Sequence, residues 1–335
     1  MFKHTVPVSV MGLGIASYFW GRSSPSGSAN ASPGGIVFPP PDKERGNTGI
    51  SSKKTPTQIT GPETVQPADF FKYGFPGPVH DLEKRSEFVS CYDRQKRNPY
   101  YVIEHITPES LQKNESNGNR KHSVFREDEQ VPEKFRARLR DYFRSGYDRG
   151  HQAPAADAKF SQEAMDETFY LTNMSPQVGD GFNRDYWAFF EDFCRRLTSR
   201  YRSVRIVTGP LYLPKQDPLD GKFKVTYEVI GNPPSIAVPT HFFKLIVAET
   251  PLKGPQSGSN GVAVAAFVLP NDVISNTTPL RSFEVPVEAL ERSSGLEFLQ
   301  RVPASEKRQL CLETDCSIIV KEYNNAVKSL PAPKN

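Results

Sequence analysis

Cysteine is scarce in this chain of 335 residues, which has only Cys91, Cys194, Cys311 and Cys316. Four cysteines are too few to hold a chain of this length together as a disulfide scaffold. Their spacings match no zinc-binding pattern, and the position of Cys194 in an apolar helical pattern predicts a buried thiol. A bridge between Cys311 and Cys316 is left open by the sequence. Small disulfide-rich modules are therefore excluded.

Acidic residues are missing from the beginning of the chain, where the first is Asp42. The apolar stretch near the start has about 15 residues, fewer than the ~20 that a membrane-spanning helix needs. Because acid is absent, residues 1–22 are predicted to be a mitochondrial targeting segment, with inner-membrane association through residues 5–20. A secretory signal peptide and a short membrane span are alternatives, since the stretch is apolar and poor in arginine.

A strong net charge is also lacking, because the chain has 42 basic and 38 acidic residues. Residues 1–69 contribute six and four of them, which leaves 36 against 34 in the remainder. Net charge therefore gives no sign of a nucleic-acid partner. Arginine is clustered locally in residues 136–149 and 195–205. Solvated helix faces and contacts with phosphate are the two interpretations of these clusters.

Bulky core material is plentiful, with 22 Phe and 13 Tyr. Residues 23–68 have little of it and are rich in Ser, Pro, Gly and Thr, so they are predicted to be a disordered linker. A packed domain is expected over residues 69–303, followed by a helical C-terminal extension over 304–335.

Apolar and β-branched runs separated by turn signals predict the strands of the packed domain. More loops than regular helices separate these runs, which favours an α+β fold with a mixed, mainly antiparallel central β-sheet flanked by helices. The predicted strands are 100–106, 168–173, 204–209, 224–231, 240–249 and 261–269.

Helical spacing of apolar residues is clearest over 183–202. Asn183, Trp187 and Glu191 are spaced four residues apart, which predicts one helix face largely distinct from the Phe/Leu core stripe. Asn183 could equally be a helix cap. Further helices are predicted over 132–144, 286–299 and 304–328.

The segment YDRGHQAPAAD, residues 147–157, carries the most chemistry. It places a carboxylate, a guanidinium and an imidazole at Asp148, Arg149 and His151, in a structured loop or short strand. A packed or solvated histidine is the ordinary interpretation of His151 alone. Gly150 favours a functional one, because glycine lets the backbone approach another chain or a ligand closely.

The ordered series of motifs resembles the DNA/RNA non-specific nucleases of the ββα-metal type, and within them the mitochondrial endonuclease G group. DRGH is followed by the segment that contains Asn173, Pro176 and Gln177, and then by FNRDYWAFFE, residues 182–191. The segments TGPLYLP (208–214), VPTHFFK (238–244) and VLPN (268–271) continue the resemblance. It covers roughly residues 70–300, and the series is far more specific than a lone DRGH.

The resemblance implies a ββα-metal active-site motif that cuts DNA and RNA. It implies that His151 is the general base and that Asn183 binds one Mg²⁺, for which Mn²⁺ can substitute. Glu191 then positions metal-bound water, Arg149 lies near the scissile phosphate, and Asn173 supports the site. Arg126 is a further candidate for phosphate contact.

The resemblance also implies a homodimer in mitochondria, at the inner membrane or in the intermembrane space, with access to nuclear DNA after release. A relative that binds nucleic acid without cutting it, a phosphoesterase of small substrates and a secreted nuclease are the rival interpretations. The presence of His151, Asn183 and Glu191 argues against an inactive relative. The lack of a Walker-type nucleotide loop argues against the second rival.

Overall fold

The structure is a computed structural model that describes residues 70–74, 81–112, 117–251 and 261–320. The strands are β1 (Asp81–Lys84), β2 (Phe88–Asp93), β3 (Asn98–Ile106), β4 (Asp148–His151), β5 (Met174–Gln177), β6 (Tyr201–Leu211), β7 (Lys215–Gln216), β8 (Phe223–Lys224), β9 (Val229–Ile230), β10 (Ile236–Ala237), β11 (His241–Pro251), β12 (Val262–Pro270), β13 (Glu284–Val285) and β14 (Lys307–Gln309). The α-helices are α1 (Leu139–Tyr142), α2 (Gln162–Glu167), α3 (Tyr186–Arg196), α4 (Val287–Ser294) and α5 (Leu310–Glu313). Short 3-10 turns cover Arg120–His122, Glu133–Phe135, Leu171–Asn173, Leu197–Ser199, Leu280–Phe283 and Ala304–Glu306.

One large sheet organises the fold, in the order β1-β2-β3-β6-β11-β12-β13. Every neighbouring pair along that order is antiparallel. Strand β14 pairs with residues 262–264 of β12 and is parallel to it. The predicted α+β class with a mixed, mainly antiparallel central sheet is therefore confirmed.

Alternate residues of the central strands pack on opposite faces of this sheet, as the two-residue period of a strand requires. In β11, Phe242 and Ile246 join the apolar cluster that contains the buried side of α3. Phe243 and Leu245 join a second cluster that contains residues of α4 and of the segment after it. Because both faces are covered, the central strands are apolar almost throughout.

A separate two-stranded unit, β4 paired with β5, lies just before α3 in the chain. The side chain of Asn271, which directly follows β12, ties this unit to the end of the large sheet. Its Oδ1 accepts a hydrogen bond from Val178 N at 2.9 Å, and its Nδ2 donates to the carbonyl oxygens of Pro176 (3.1 Å) and Pro239 (2.9 Å). We call this contact the Asn271 clamp.

The predicted strands 100–106, 204–209, 240–249 and 261–269 correspond to β3, β6, β11 and β12 and are confirmed. The strand predicted over 168–173 is wrong. Thr168 instead ends α2, where its hydroxyl donates to the carbonyl of Met165 at 2.7 Å, and a 3-10 turn precedes β5.

The strand predicted over 224–231 is also wrong, since only two-residue strands lie at its ends. Residues 221–229 are exposed throughout, so the β-branched alternation in this segment has no core face to bury. Of the two alternatives for DRGH, a structured loop or a short strand, the structure has the strand, β4.

The helix predicted over 183–202 is shorter than expected, because α3 begins at Tyr186. Asp180 has a ψ of 135° and Gly181 a φ of 82°, and these angles interrupt the helical path before Asn183. Trp187 is fully buried in the main core, so the prediction that it lies on a face apart from the core is wrong. The predicted helix 286–299 begins close to its expected start, at Val287, but ends at Gly295, whose φ is 71°. Glycine accepts that left-handed conformation without strain.

The helix predicted over 132–144 is wrong, since only a 3-10 turn and the short helix α1 form there. The hydroxyl of Tyr92 explains the interruption: it donates to Phe135 O at 3.1 Å and accepts from Ala137 N at 3.2 Å. The helix predicted over 304–328 is likewise wrong in its described part, residues 304–320. Residues 307–309 extend the large sheet as β14, because pairing with β12 satisfies their backbone groups.

Cys311 and Cys316 form a disulfide, a bridge that the sequence alone had left undecided. Cys194 is a buried free thiol, as predicted, and so is Cys91. Within the described residues, no helix is long and apolar enough to cross a membrane. The predicted targeting segment 1–22 and linker 23–68 lie outside the described residues, as does the C-terminal stretch 321–335.

Candidate active site

The pairing of β4 with β5 explains why glycine occupies position 150. Asp148 lies opposite Gln177, and Gly150 lies opposite Ser175. A Cβ atom on residue 150 would be 1.9 Å from Oε1 of Gln177 and 2.5 Å from its Cγ. Only a residue without a side chain lets the two strands pair in this way, as Gly150 suggested from the sequence.

His151, the last residue of β4, has only 8% of its surface exposed. Its ring lies between two aromatic side chains, with centroid distances of 4.8 Å to Phe169 and 5.7 Å to Phe125. Burial, reinforced by the positive charge of Arg120, lowers the pKa of His151 to about 3. The imidazole is therefore neutral at physiological pH. Its Nε2 is buried and has no hydrogen-bond partner among the described residues, so this atom is available to a ligand or to water.

Asn183 lies in the irregular turn before α3, three residues ahead of the helix. Its Nδ2 donates to Oδ2 of Asp148 at 2.8 Å, which fixes the orientation of the amide. Asp148 is itself held by the guanidinium of Arg184, whose Nε and Nη2 lie 2.8 Å and 2.5 Å from the two carboxylate oxygens. No hydrogen bond from another described residue reaches Oδ1 of Asn183, which is half-buried, so this amide oxygen is a free ligand atom.

Glu191 lies two turns further along the chain, on α3. Burial raises the pKa of Glu191 to about 7, although the positive charges of Lys244 and Arg195 oppose the shift. Arg195, one helical turn later, donates to Oδ1 of the buried carboxylate of Asp157 at 2.8 Å. Glu191 is thus part of a charged group that includes residues from α3, from the loop after β4 and from β11.

Additional buried charges belong to this group, on strands of the large sheet and directly before β2. Glu104 of β3 and Glu87 are almost completely buried. Burial, together with neighbouring carboxylates, holds the pKa of each well above its usual range. Lys244 of β11 is also buried, and its Nζ donates to the hydroxyl of Thr208 at 2.8 Å. The polar interior near α3 therefore extends into the middle of the sheet.

Three arginines lie against aromatic rings close to His151. The guanidinium of Arg149 is 4.2 Å from the ring centroid of Phe125, and that of Arg120 is 5.6 Å from the ring of Phe169. Arg126 lies 4.6 Å from the ring of Tyr170, and its backbone pairs with that residue. Within the described residues, no carboxylate oxygen is within 4.0 Å of these three cations, so they are available to an anion.

Asn173 is fully buried and makes no contact with the open part of the site. Its Oδ1 accepts from Ala153 N at 2.9 Å, and its Nδ2 donates to the carbonyl oxygens of Ala153 (2.9 Å) and Thr168 (2.8 Å). The backbone carbonyl of Asn173 accepts from Gln152 N at 3.0 Å. Asn173 therefore positions the chain that follows His151 and has no polar atom left for a ligand.

The structure links the strand that carries Arg149 and His151 to the turn that carries Asn183, since Asp148 of β4 accepts a hydrogen bond from Asn183. It also reveals residues that the motifs did not indicate. Arg120 acts electrostatically on both His151 and Glu191, and Arg184 orients Asp148. Arg184 lies inside the segment FNRDYWAFFE, but nothing in that segment indicated its pairing with Asp148, and Arg120 is distant from the motifs in the chain, so no sequence signal pointed to it.

A divalent cation fits the ligand atoms that are present. Mg²⁺ prefers oxygen ligands and usually retains several waters, so one amide oxygen with nearby carboxylates is a suitable environment. The Oδ1 of Asn183 is such an oxygen, and Asp148 holds its amide in place. Across the described ranges, no group of three or more His, Cys, Asp and Glu side chains is arranged to hold a metal ion.

Two antiparallel strands ending in a neutral histidine, followed by a helix with an oriented asparagine before it, define a nuclease site of the ββα-metal class. The chain belongs to the DNA/RNA non-specific endonuclease family, whose model matches residues 66–305. The resemblance seen in the motifs is therefore confirmed.

Individual relatives are similar over most of their length. The mitochondrial nuclease of Saccharomyces cerevisiae is 64% identical over 306 residues, which cover 89% of each chain. The mitochondrial endonuclease G of Homo sapiens is 42% identical, over 70% of this chain and 74% of that protein. A crystal structure of the EndoG/EndoGI complex matches with a TM-score of 0.67 and 46% identity, over 72% of this chain and 94% of that one.

Proposed function

We propose that this nuclease hydrolyses phosphodiester bonds of DNA and RNA with His151 as general base and one Mg²⁺ held by Asn183. The observation that carries the proposal is that two ligand atoms without a hydrogen-bond partner among the described residues lie on segments that Asp148 links, the strand β4 and the turn before α3. Nε2 of His151 is neutral and unbonded, and the amide of Asn183 is oriented by Asp148 so that its oxygen is free.

His151 takes a proton from the attacking water through Nε2. The water oxygen then bonds to phosphorus, and the bond from phosphorus to O3′ breaks. In the absence of substrate, burial keeps the pKa of His151 at about 3. A phosphodiester beside the ring brings negative charge, which favours the protonated imidazole and raises its basicity. Substrate binding itself thus strengthens the base.

Asn183 contributes one neutral oxygen to the metal, which leaves the positive charge of the ion undiminished for the phosphate. When bound, Mg²⁺ acts as a Lewis acid that stabilises negative charge on the phosphate and on the leaving O3′. Glu191 lies on α3 and would orient water beside the metal. A suitable substitute that also takes oxygen ligands is Mn²⁺.

Arg149 supplies charge-assisted hydrogen bonds to the phosphate, and Arg126 and Arg120 extend the positive surface around it. All of these groups recognise phosphate, and contacts with phosphate carry little sequence information. The proposed nuclease therefore cuts single- and double-stranded nucleic acid with low sequence preference, and salt weakens its binding.

We further propose that the protein works in mitochondria, since relatives in two yeasts and in animals are named mitochondrial nucleases. Inner-membrane association through residues 5–20, a homodimeric state and access to nuclear DNA after release are parts of the same proposal. Fractionation of mitochondria and sedimentation of the purified full chain test location and oligomeric state separately.

The decisive experiment is cleavage of supercoiled plasmid and single-stranded RNA by the full chain. Wild type is compared with His151→Ala and Asn183→Ala, each with Mg²⁺ and with EDTA. A matched control is Asn276→Ala, which removes the same type of side chain from a different loop. We expect cutting of both substrates by wild type and by the control with Mg²⁺ only, and loss of cutting in both other variants.

If wild type binds nucleic acid but cuts neither substrate with any divalent cation, the nuclease proposal fails and the inactive-relative interpretation replaces it. If His151→Ala cuts at the wild-type rate, the assignment of the base is wrong. Activity on a small phosphodiester without activity on the polymers would favour the small-substrate phosphoesterase.

A further inference from the structure

A groove beside β4, the strand that carries His151, has no role in the proposed hydrolysis. It lies between the turn 139–147 and β4 and has a volume of about 540 Å³. Its lining includes Arg140, Phe143, Arg144, Tyr147 and Arg149. Cavities that hold small organic groups have volumes of ~300–1,000 Å³, so this groove is large enough for a nucleotide.

Arginine predominates among the charged residues of the groove, whose one acidic lining residue, Asp148, is bound by the guanidinium of Arg184. Arg140 and Arg144 are exposed, and across the described ranges no carboxylate oxygen lies within 4.0 Å of either guanidinium. By contrast, nearby Arg138 forms ion pairs with Glu127 and Glu133. The free cations in the groove are therefore suited to an anionic ligand such as a phosphate group.

An aromatic ring stands beside these cations and is open to solvent. The ring of Phe143 is 72% exposed. The guanidinium of Arg144 lies 5.0 Å from the centroid of that ring. Proteins that bind single-stranded nucleic acid stack unpaired bases on aromatic rings and contact the backbone with neighbouring cations. Phe143 and Arg144 supply one group of each kind.

The turn that carries these groups is held in a fixed shape. Arg144 has a φ of 55°, in the left-handed region that non-glycine residues rarely adopt. Ser145 stabilises the turn: its N–H and its hydroxyl both donate to the carbonyl of Tyr142, at 3.2 Å and 2.9 Å. Its hydroxyl also accepts from Tyr147 N at 3.2 Å. Phe143 and Arg144 are therefore presented by an ordered backbone.

Arg149 connects the groove to the catalytic centre. It lines the groove, and it lies two residues before His151 on β4, so the two side chains are on the same side of the strand. The ring of Phe125 contacts both of them. A nucleic-acid strand whose phosphate is next to His151 can thus continue along Arg149 into the groove.

We propose that this groove binds the nucleotide next to the cleaved bond, with its phosphate on Arg140 and Arg144 and its unpaired base stacked on Phe143. The proposal rests on the nuclease function described above and gives it a preference for single-stranded or locally open substrate. A base inside an intact duplex is stacked between its two neighbouring bases and therefore cannot stack on the ring of Phe143. The groove therefore distinguishes unpaired from paired strands without reading sequence.

The experiment measures binding with EDTA present, so that cleavage cannot interfere. Fluorescence anisotropy follows a labelled single-stranded oligonucleotide and a blunt duplex of the same sequence, bound by the full chain. The variants are Phe143→Leu, which removes the ring but keeps an apolar side chain, and Phe143→Trp, which restores a ring. Arg140→Gln is matched by Arg292→Gln, an exposed arginine on α4. Thermal unfolding verifies that each variant is folded.

We expect Phe143→Leu to weaken binding of the single strand by roughly 5- to 150-fold, the range for loss of one base stack. Duplex binding should change little, and Phe143→Trp should bind the single strand as wild type does. Arg140→Gln should reduce the slope of log Kd against log salt by about 0.7 for the single strand, the value for one phosphate contact, while Arg292→Gln should not.

Unchanged single-strand affinity in Phe143→Leu, or an equal loss for single strand and duplex, would overturn the stacking proposal. An unchanged salt slope in Arg140→Gln would overturn the phosphate contact. Cleavage assays with Mg²⁺ in place of EDTA test the proposed nuclease function separately from the groove. Failure of wild type to cut overturns the nuclease proposal, whereas cutting with an unchanged KM for single strands in Phe143→Leu overturns only the groove.

Discussion

Substitution of Gly150 by alanine should destabilise the protein through a single contact. The new Cβ would lie 1.9 Å from Oε1, 2.3 Å from Cδ and 2.5 Å from Cγ of Gln177, whereas carbon atoms pack at about 3.5–4.0 Å. Gln177 is fully buried, so the whole side chain must move or β4 must separate from β5. Forcing one extra methyl into a packed site costs about 1–3 kcal/mol.

A second substitution tests the cause. Gln177→Ala removes the atoms that the new methyl would meet, and it also removes two buried polar atoms, Oε1 and Nε2, that have no partner among the described residues. The double variant should therefore be more stable than the sum of the single effects predicts, by about 0.5–3 kcal/mol, as is usual for residues in contact. Gly261→Ala, whose Cβ would meet Arg308 and Glu306 instead, should be additive with Gln177→Ala.

The assay is urea unfolding of the full chain, followed by circular dichroism, with plasmid cleavage measured in parallel. Displacement of β4 moves His151, so the cleavage rate of Gly150→Ala should fall and should recover partly in the double variant. Strict additivity of Gly150→Ala with Gln177→Ala would refute the contact argument. Full activity in Gly150→Ala would refute the claim that strand spacing positions the base.

Three further predictions concern charge and a covalent link. Asp148→Asn should raise the Mg²⁺ concentration for half-maximal cleavage about 10- to 100-fold, because Asp148 orients the amide of Asn183; an unchanged Mg²⁺ titration would contradict this. Burial holds the pKa of Glu87 well above its ordinary value of 4.5. The folded state therefore keeps a proton that the unfolded state loses, so the free energy of unfolding should fall as pH rises above 4.5. Glu87→Gln should reduce that fall in denaturation measured across pH, whereas Glu109→Gln, at an exposed site, should not. Cys311→Ser should cost about 2 kcal/mol, the value for a short closed loop, without change in the cleavage rate, and an unchanged urea midpoint would show that the disulfide is not stabilising.

The central strands could be predicted because their apolar residues are buried on both faces. Strands β3, β6, β11 and β12 have large partners on each side, and their composition reflects that environment directly. The exposed segment 221–229 has similar β-branched residues but no sheet to join, so composition alone was misleading there. Packing against neighbouring elements therefore decides whether such a segment becomes a long strand. The sequence pattern shows the apolar composition but not whether a neighbouring strand is there to pair with.

The centre of the candidate site could be predicted for a different reason. His151, Arg149 and Asn183 lie within one stretch of chain, and the ordered motifs around them are specific. Arg120 and Asp157 act on the same site by Coulomb interaction and by an ion pair, and neither interaction depends on spacing along the chain. Such residues become visible only when the fold brings them close.

The Asn271 clamp has a consequence for how the molecule can change over evolutionary time. One side-chain amide, with fixed bond lengths, sets the separation between the β4–β5 unit and the end of the large sheet. Arg149 and His151 are carried by that unit. Position 271 therefore admits hardly any replacement, since aspartate lacks the two donors and glutamine is one methylene too long.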